Sequence, residues 1–188
     1  IFLYFLIPAN IMLYGVNDYF DREIDRENPK KDDKEEAYRE NQFTDSIIVM
    51  ATVTSIPVTI PMADSAWPFM IAFPALSVSY SAPPLRFKTK PFLDSLSNGL
   101  YILPFAVGYS SITGEIPPVL PLTAGWVWSM AMHTFAAIPD IEPDKEAGVE
   151  TTATLLGQKS SYIYCTLLWS SAAIVAGLWN LPAGALLG

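Results

Sequence analysis

Charge in this chain is confined to a few short stretches, and the long intervals between them carry none. Residues 46–63, 65–85, 95–114, 116–139 and 160–188 lack Asp, Glu, Lys and Arg altogether, and residues 1–16 form a further, shorter apolar run. A bilayer is spanned by about 20 mostly apolar residues. Segments that cross lipid do so as helices, because a helix satisfies its own backbone hydrogen-bonding groups. The expected fold is therefore all-α, a multi-pass transmembrane helical bundle with six spans, residues 1–188 forming a single membrane domain. The chain starts without Met inside one apolar run and stops inside another, so it is expected to be incomplete at both ends. A lone cysteine, Cys165, excludes an internal disulfide and any Cys-based metal motif.

The basic residues give an orientation. All eleven Lys and Arg fall in three segments: six in residues 22–39, then Arg86, Lys88 and Lys90, then Lys145 and Lys159. When the spans are threaded alternately, these segments share one side. The opposite connections, around Asp64 and Glu115, have no Lys or Arg. The positive-inside rule makes the charged side cytoplasmic, so a cell-membrane protein with cytoplasmic active-site loops is expected. The net charge of −8 leaves this intact, since the rule counts Lys and Arg. Pro57, Pro61, Pro68, Pro74, Pro104 and Pro121 lie in or near the apolar runs. Kinks there either widen a bundle into a cavity or serve packing alone.

Two carboxylate clusters lie on that side. In the first, Asn17, Asp21 and Asp25 recur at i, i+4 and i+8, with Asp18 beside them. A continuing helix sets them in one stripe. The second is Asp140 and Asp144, again four apart, with Pro143 between them breaking or restarting the helix and Gly148 allowing a turn. Two carboxylates about 6 Å apart repel by roughly 3 kcal/mol at an effective dielectric of 20. Bringing the clusters together therefore demands cations. Oxygen-only ligands suit Mg²⁺, which binds one or two carboxylates together with substrate phosphates. The plain alternative is a pair of solvated helix ends.

Between the clusters, a Pro pair ends a helix and Arg86, Lys88 and Lys90 follow at alternate positions. Arg86 and Lys88 are candidate diphosphate-binding residues, and Arg22 within the first motif is another. The single histidine, His133, lies two helical turns before Asp140 on a similar face. It is a candidate pocket residue, with packing as its alternative. Trp126, Trp128, Phe135, Tyr101 and Tyr109 offer ring faces to a carbocation, or serve as core and interface anchors.

These residues are familiar. Asn17-Asp18-x-x-Asp21-x-x-x-Asp25 resembles the first motif of the UbiA superfamily of intramembrane prenyltransferases, Asp140-x-x-x-Asp144 resembles the second, and residues 80–88 resemble the basic loop between them. Residues 80–94 and 133–154 are similar to lycopene elongases, the carotenoid-modifying branch. The resemblance implies a bundle of about nine spans around a laterally open cavity, of which this chain would hold about six. It also implies Mg²⁺ held by Asp18, Asp21, Asp25, Asp140 and Asp144. Asn17, Arg22, Arg86 and Lys88 would bind the diphosphate, and Tyr80 and His133 would line the substrate pocket. The implied reaction moves a prenyl group from dimethylallyl diphosphate to lycopene in C50 carotenoid synthesis. The implied partners are that diphosphate, a lipophilic acceptor and membrane lipid, with no nucleic acid. A quinone precursor, chlorophyllide, haem or glycerol lipid is the alternative acceptor. A cation transporter is the rival of another class, but it expects acids near the bilayer midplane rather than at one face.

Overall fold

The structure, a computed structural model, describes residues 1–25 and 42–179, and of residues 22–25 the backbone alone. The described residues form helices and no strand. In chain order these are α1 (Phe2–Leu6), α2 (Pro8–Asp25), α3 (Gln42–Val53), α4 (Ser55–Thr59), α5 (Trp67–Ser81), α6 (Leu93–Ser97), α7 (Leu103–Thr113), α8 (Val119–Ala137), α9 (Ile141–Glu146) and α10 (Thr152–Trp179). Short 3₁₀ turns join them at Asp64–Ala66, Phe87–Thr89, Asn98–Ile102 and Ile138–Asp140.

Most of the apolar runs are thus built from helical pieces rather than one rod. The run over 46–63 is divided between α3 and α4, and that over 95–114 passes from α6 through a 3₁₀ turn into α7. Among the described residues, one helix, α10, is by itself long and apolar enough to cross a membrane. Proline explains many of the breaks. Pro68 and Pro104 stand at the starts of α5 and α7, and Pro121 lies in the first turn of α8. The first N–H groups of a helix have no partner inside it, so a missing donor there is harmless. Pro74 lies inside α5.

The outer surface differs from that of a water-soluble bundle. Large apolar side chains point outward throughout the described residues: Phe2, Phe43, Ile60, Ile71, Ile112, Leu167 and Leu178 are all more than half exposed. The interior holds, beside larger side chains such as Met12, Met70 and Leu100, many small and hydroxylated residues, among them Ser77, Ser95, Ser110, Thr134 and Ser161, with Ala106, Ala131 and Ala172. Small residues let helix backbones approach, and hydroxyls bond across or along helices. Trp126 Nε1 donates to the Leu96 carbonyl at 3.0 Å, and Ser95 Oγ to that of Met130 at 3.1 Å. These bonds tie α8 to α6, while α8 also packs along α10. An apolar cluster of Met12, Leu13 and Val16 from α2, Ile48 from α3, Met70 and Phe73 from α5, and Leu100, Leu103 and Val107 joins the other half.

Gly99 shows how tight the approach is. A Cβ built there would lie 1.9 Å from the Trp126 indole. Overpacking of this kind costs about 1–3 kcal/mol. Gly99→Ala is expected to lower the thermal unfolding midpoint of the full-length protein in detergent by several degrees; an unchanged midpoint would mean that Trp126 has room to move.

Candidate functional site

Helix α2 continues without a break through the first acidic motif, so Asn17 and Asp21 stand one turn apart on one face. Both line a cavity of about 410 Å³. Asp18, one position round the helix, is half-buried and is not among the lining residues. The side chains of Arg22 and Asp25 lie outside the described residues.

The basic loop closes over this face. Helix α5 ends at Ser81, where the following prolines cannot continue it. The chain then turns through Arg86, which adopts a left-handed conformation with φ 39°. The Arg86 N–H bonds the Ala82 carbonyl at 2.9 Å, closing the turn. A left-handed residue with a side chain costs about 1–2 kcal/mol. Here the turn folds two cations back onto α2. Arg86 Nη2 lies 3.3 Å from Asp21 Oδ1, and Lys88 Nζ forms an ion pair with Asp21 Oδ2. Lys88 also donates to Asn17 Oδ1 at 3.0 Å, and Ser81 Oγ donates to the same oxygen at 2.9 Å. Asn17 therefore positions the lysine. Arg86 Nε is buried and has no hydrogen-bond partner among the described residues. Lys90 is exposed and does not line the cavity.

The second motif faces the same cavity. Helix α8 tightens into the 3₁₀ turn Ile138–Asp140, and α9 starts after Asp140. Pro143 is the third residue of α9, within the first turn where its missing N–H does no harm. The restart expected from Pro143 is thus present, its break lying at Asp140. Gly148, at φ 69°, then reverses the chain. Asp140 and Asp144 both line the cavity, with Asn17, Asp21, Arg86, Lys88, Tyr80 and His133. Tyr80 and His133 meet edge to face, ring centroids 6.0 Å apart. The five aromatic rings named from sequence, Trp126, Trp128, Phe135, Tyr101 and Tyr109, do not line it.

Among the described residues, no three His, Cys, Asp or Glu side chains converge closely enough to hold a metal ion by themselves. The donor set still fits Mg²⁺, which rarely takes an all-protein cage and uses one or two carboxylates with substrate phosphates. The Arg86 Nε–H, without a partner among the described residues, stands with Lys88 in a cavity shared with carboxylates from two motifs, and charged donors of this kind suit a phosphate.

Sequence reasoning missed Asp94. It is 1% exposed, accepts the Thr152 N–H at 2.8 Å, and accepts the Thr152 hydroxyl. Thr152 Oγ1 in turn accepts the Phe92 N–H at 2.7 Å. A carboxylate at the N-terminus of α10 is favoured by the helix dipole. The available signal was a single acid at the edge of an uncharged run.

The UbiA prenyltransferase family matches residues 1–188. The chain is 51% identical over 188 residues to the lycopene elongase/hydratase of Haloarcula japonica, covering all of this chain and 64% of that protein. It is 51% identical over 187 residues to the lycopene elongase/hydratase of Halobacterium salinarum, covering 68% of it. Identity to the lycopene elongase/hydratase of Corynebacterium glutamicum is 31% over 191 residues, covering 96% of this chain and 66% of that one. The chain thus spans about two thirds of the length of these relatives. The fold is also that of a UbiA homolog from Archaeoglobus fulgidus bound to DMAPP and Mg²⁺. The TM-score is 0.80 at 19% identity, over 96% of this chain and 70% of that chain. With a match that runs from the first residue to the last and a fold to go with it, the chain belongs to the UbiA prenyltransferase family and resembles, within it, the lycopene elongases.

Proposed function

We propose that the protein transfers a dimethylallyl group from its diphosphate to lycopene, as a step in C50 carotenoid synthesis. The observation that carries this reading is the single cavity lined at once by Asn17 and Asp21, by Arg86 and Lys88, and by Asp140 and Asp144. Those three groups come from three separated segments and have complementary charge. The relatives' names supply the acceptor. Residues 1–188 act as one prenyltransferase domain that crosses the membrane in about six passes, its cavity mouth on the cytoplasmic side with the Lys and Arg residues. The outward-facing apolar side chains and the charge-free runs support that placement.

Asp18, Asp21, Asp25, Asp140 and Asp144 would hold Mg²⁺, which when bound neutralises phosphate oxygens and stabilises a departing diphosphate. Arg86 and Lys88 grip the phosphates, Arg86 through the N–H that has no partner here. Asn17 holds Lys88 in place, and Arg22, next to Asp21 in the sequence, is a further candidate for the phosphates. Tyr80 and His133 line the cavity wall beside the organic part of the donor. The allylic C–O bond breaks and its electron pair leaves with the diphosphate. The acceptor's double bond then supplies the pair for the new C–C bond.

Full-length protein in membranes, given Mg²⁺, labelled dimethylallyl diphosphate and lycopene, is expected to yield a labelled C45 or C50 carotenoid that disappears with EDTA. No labelled carotenoid from a folded protein that prenylates another acceptor would remove lycopene and keep prenyl transfer. Asp21→Ala and Asp140→Ala are each expected to abolish measurable turnover, and full activity in either would count heavily against the reading. Lys88→Ala removes a charged hydrogen-bond donor worth about 1.5–3 kcal/mol, so the donor KM should rise about tenfold or more; an unchanged KM would take Lys88 out of phosphate binding.

A further inference from the structure

The reaction above needs a final base, because a positive charge formed on the acceptor must be discharged by loss of a proton or capture of water. The carboxylates at the cavity edge are engaged with the donor's diphosphate end. His133 lines the same cavity seven residues before Asp140, about 10 Å away along the helix axis. Its side chain is 21% exposed, so the ring is open to the cavity without being bathed in water.

Behind it stands Asp94. His133 Nε2 is 3.9 Å from Asp94 Oδ2, and among the described residues no Lys or Arg pairs with that carboxylate. The Thr152 N–H and hydroxyl fix both carboxylate oxygens. Asn98 Nδ2 bonds the Asp94 backbone carbonyl at 2.7 Å, fixing the residue from its other end. The Tyr80 ring holds the imidazole from another side. A buried carboxylate at this distance makes no direct hydrogen bond to the ring, but its charge favours the imidazolium that forms when the ring takes a proton. A packing histidine needs neither an opening to the cavity nor an immobilised buried acid.

We propose that His133 is the base that ends prenyl transfer, and that Asp94 is the residue that positions it and stabilises its charged form. The inference rests on the prenyl-transfer reading. After the new C–C bond has formed, the charge lies on an acceptor carbon. His133 takes a proton from the adjacent carbon, and the C–H electron pair becomes a double bond. Where water adds instead, its oxygen bonds the cationic carbon and His133 takes one of its protons, leaving an alcohol. The imidazolium then passes its proton to the released diphosphate in the same cavity. One base thus serves both outcomes.

The test compares full-length wild type, His133→Gln and Asp94→Asn in membranes with Mg²⁺, labelled dimethylallyl diphosphate and lycopene. Glutamine keeps polarity and comparable size but cannot accept the proton. His133→Gln is expected to lower kcat by about 10²-fold or more with the donor KM within about twofold of wild type. Asp94→Asn is expected to lower kcat about tenfold with the same unchanged KM, a split that a cap on α10 alone would not produce. His133→Asn decides the question should the glutamine variant not fold. A His133 variant with wild-type kcat, or one in which the donor KM rises while kcat holds, overturns the assignment. An inactive wild type is a different result, because it removes prenyl transfer itself and the base with it.

Discussion

Carboxylates from two distant segments repel when they share a cavity, and here Arg86 and Lys88 bring positive charge to it. Two such acids about 6 Å apart would cost roughly 3 kcal/mol at an effective dielectric of 20. The left-handed turn at Arg86 brings both cations onto Asp21, in a cavity that Asp140 and Asp144 also line. The backbone strain at that turn is offset by the ion pairs it permits. The same two cations present the surface a diphosphate needs. On the proposed reading, charge compensation in the free protein and substrate recognition are one arrangement.

Around this site the chain is built from broken helices. Prolines at helix starts divide the apolar runs without leaving unpaired donors. The breaks at Asp140 and after Ser81 release the chain where it must aim polar side chains into the cavity. Small and hydroxylated interiors let the pieces approach closely, as at Gly99 against Trp126, while bulky apolar side chains face outward. Irregular backbone at membrane depth is tolerated where protein buries it or a cavity lies beside it.

Asp94 links the halves of the site. Through Thr152 it fixes the start of α10, and it lies 3.9 Å from His133 on the cavity wall. The loop of residues 82–94 therefore carries Arg86 and Lys88 at one end and Asp94 at the other. Displacing that segment would disturb the Asp21 ion pairs and the surroundings of the imidazole together.

Much of this was legible in the sequence. Helical class, the two acidic motifs and the basic segment follow from local spacing, because uncharged runs and i, i+4 repeats need no knowledge of distant partners. Asn17 and Asp21 share a cavity because four residues make about one turn, and His133 joins Asp140 for the same reason. The restart at the second motif was readable from Pro143. What the sequence alone could not reach were relations across the fold. Asp94 reads as one acid beside a span; its burial and its bonds to Thr152, 58 residues on, exist only once α6, α8 and α10 pack. The pairing of Lys88 with Asn17 and Asp21 likewise depends on a turn at Arg86 that no local preference demands. Local chemistry is written in spacing, whereas the environment of a side chain is set by segments far away in the chain, and only the tertiary structure brings those together.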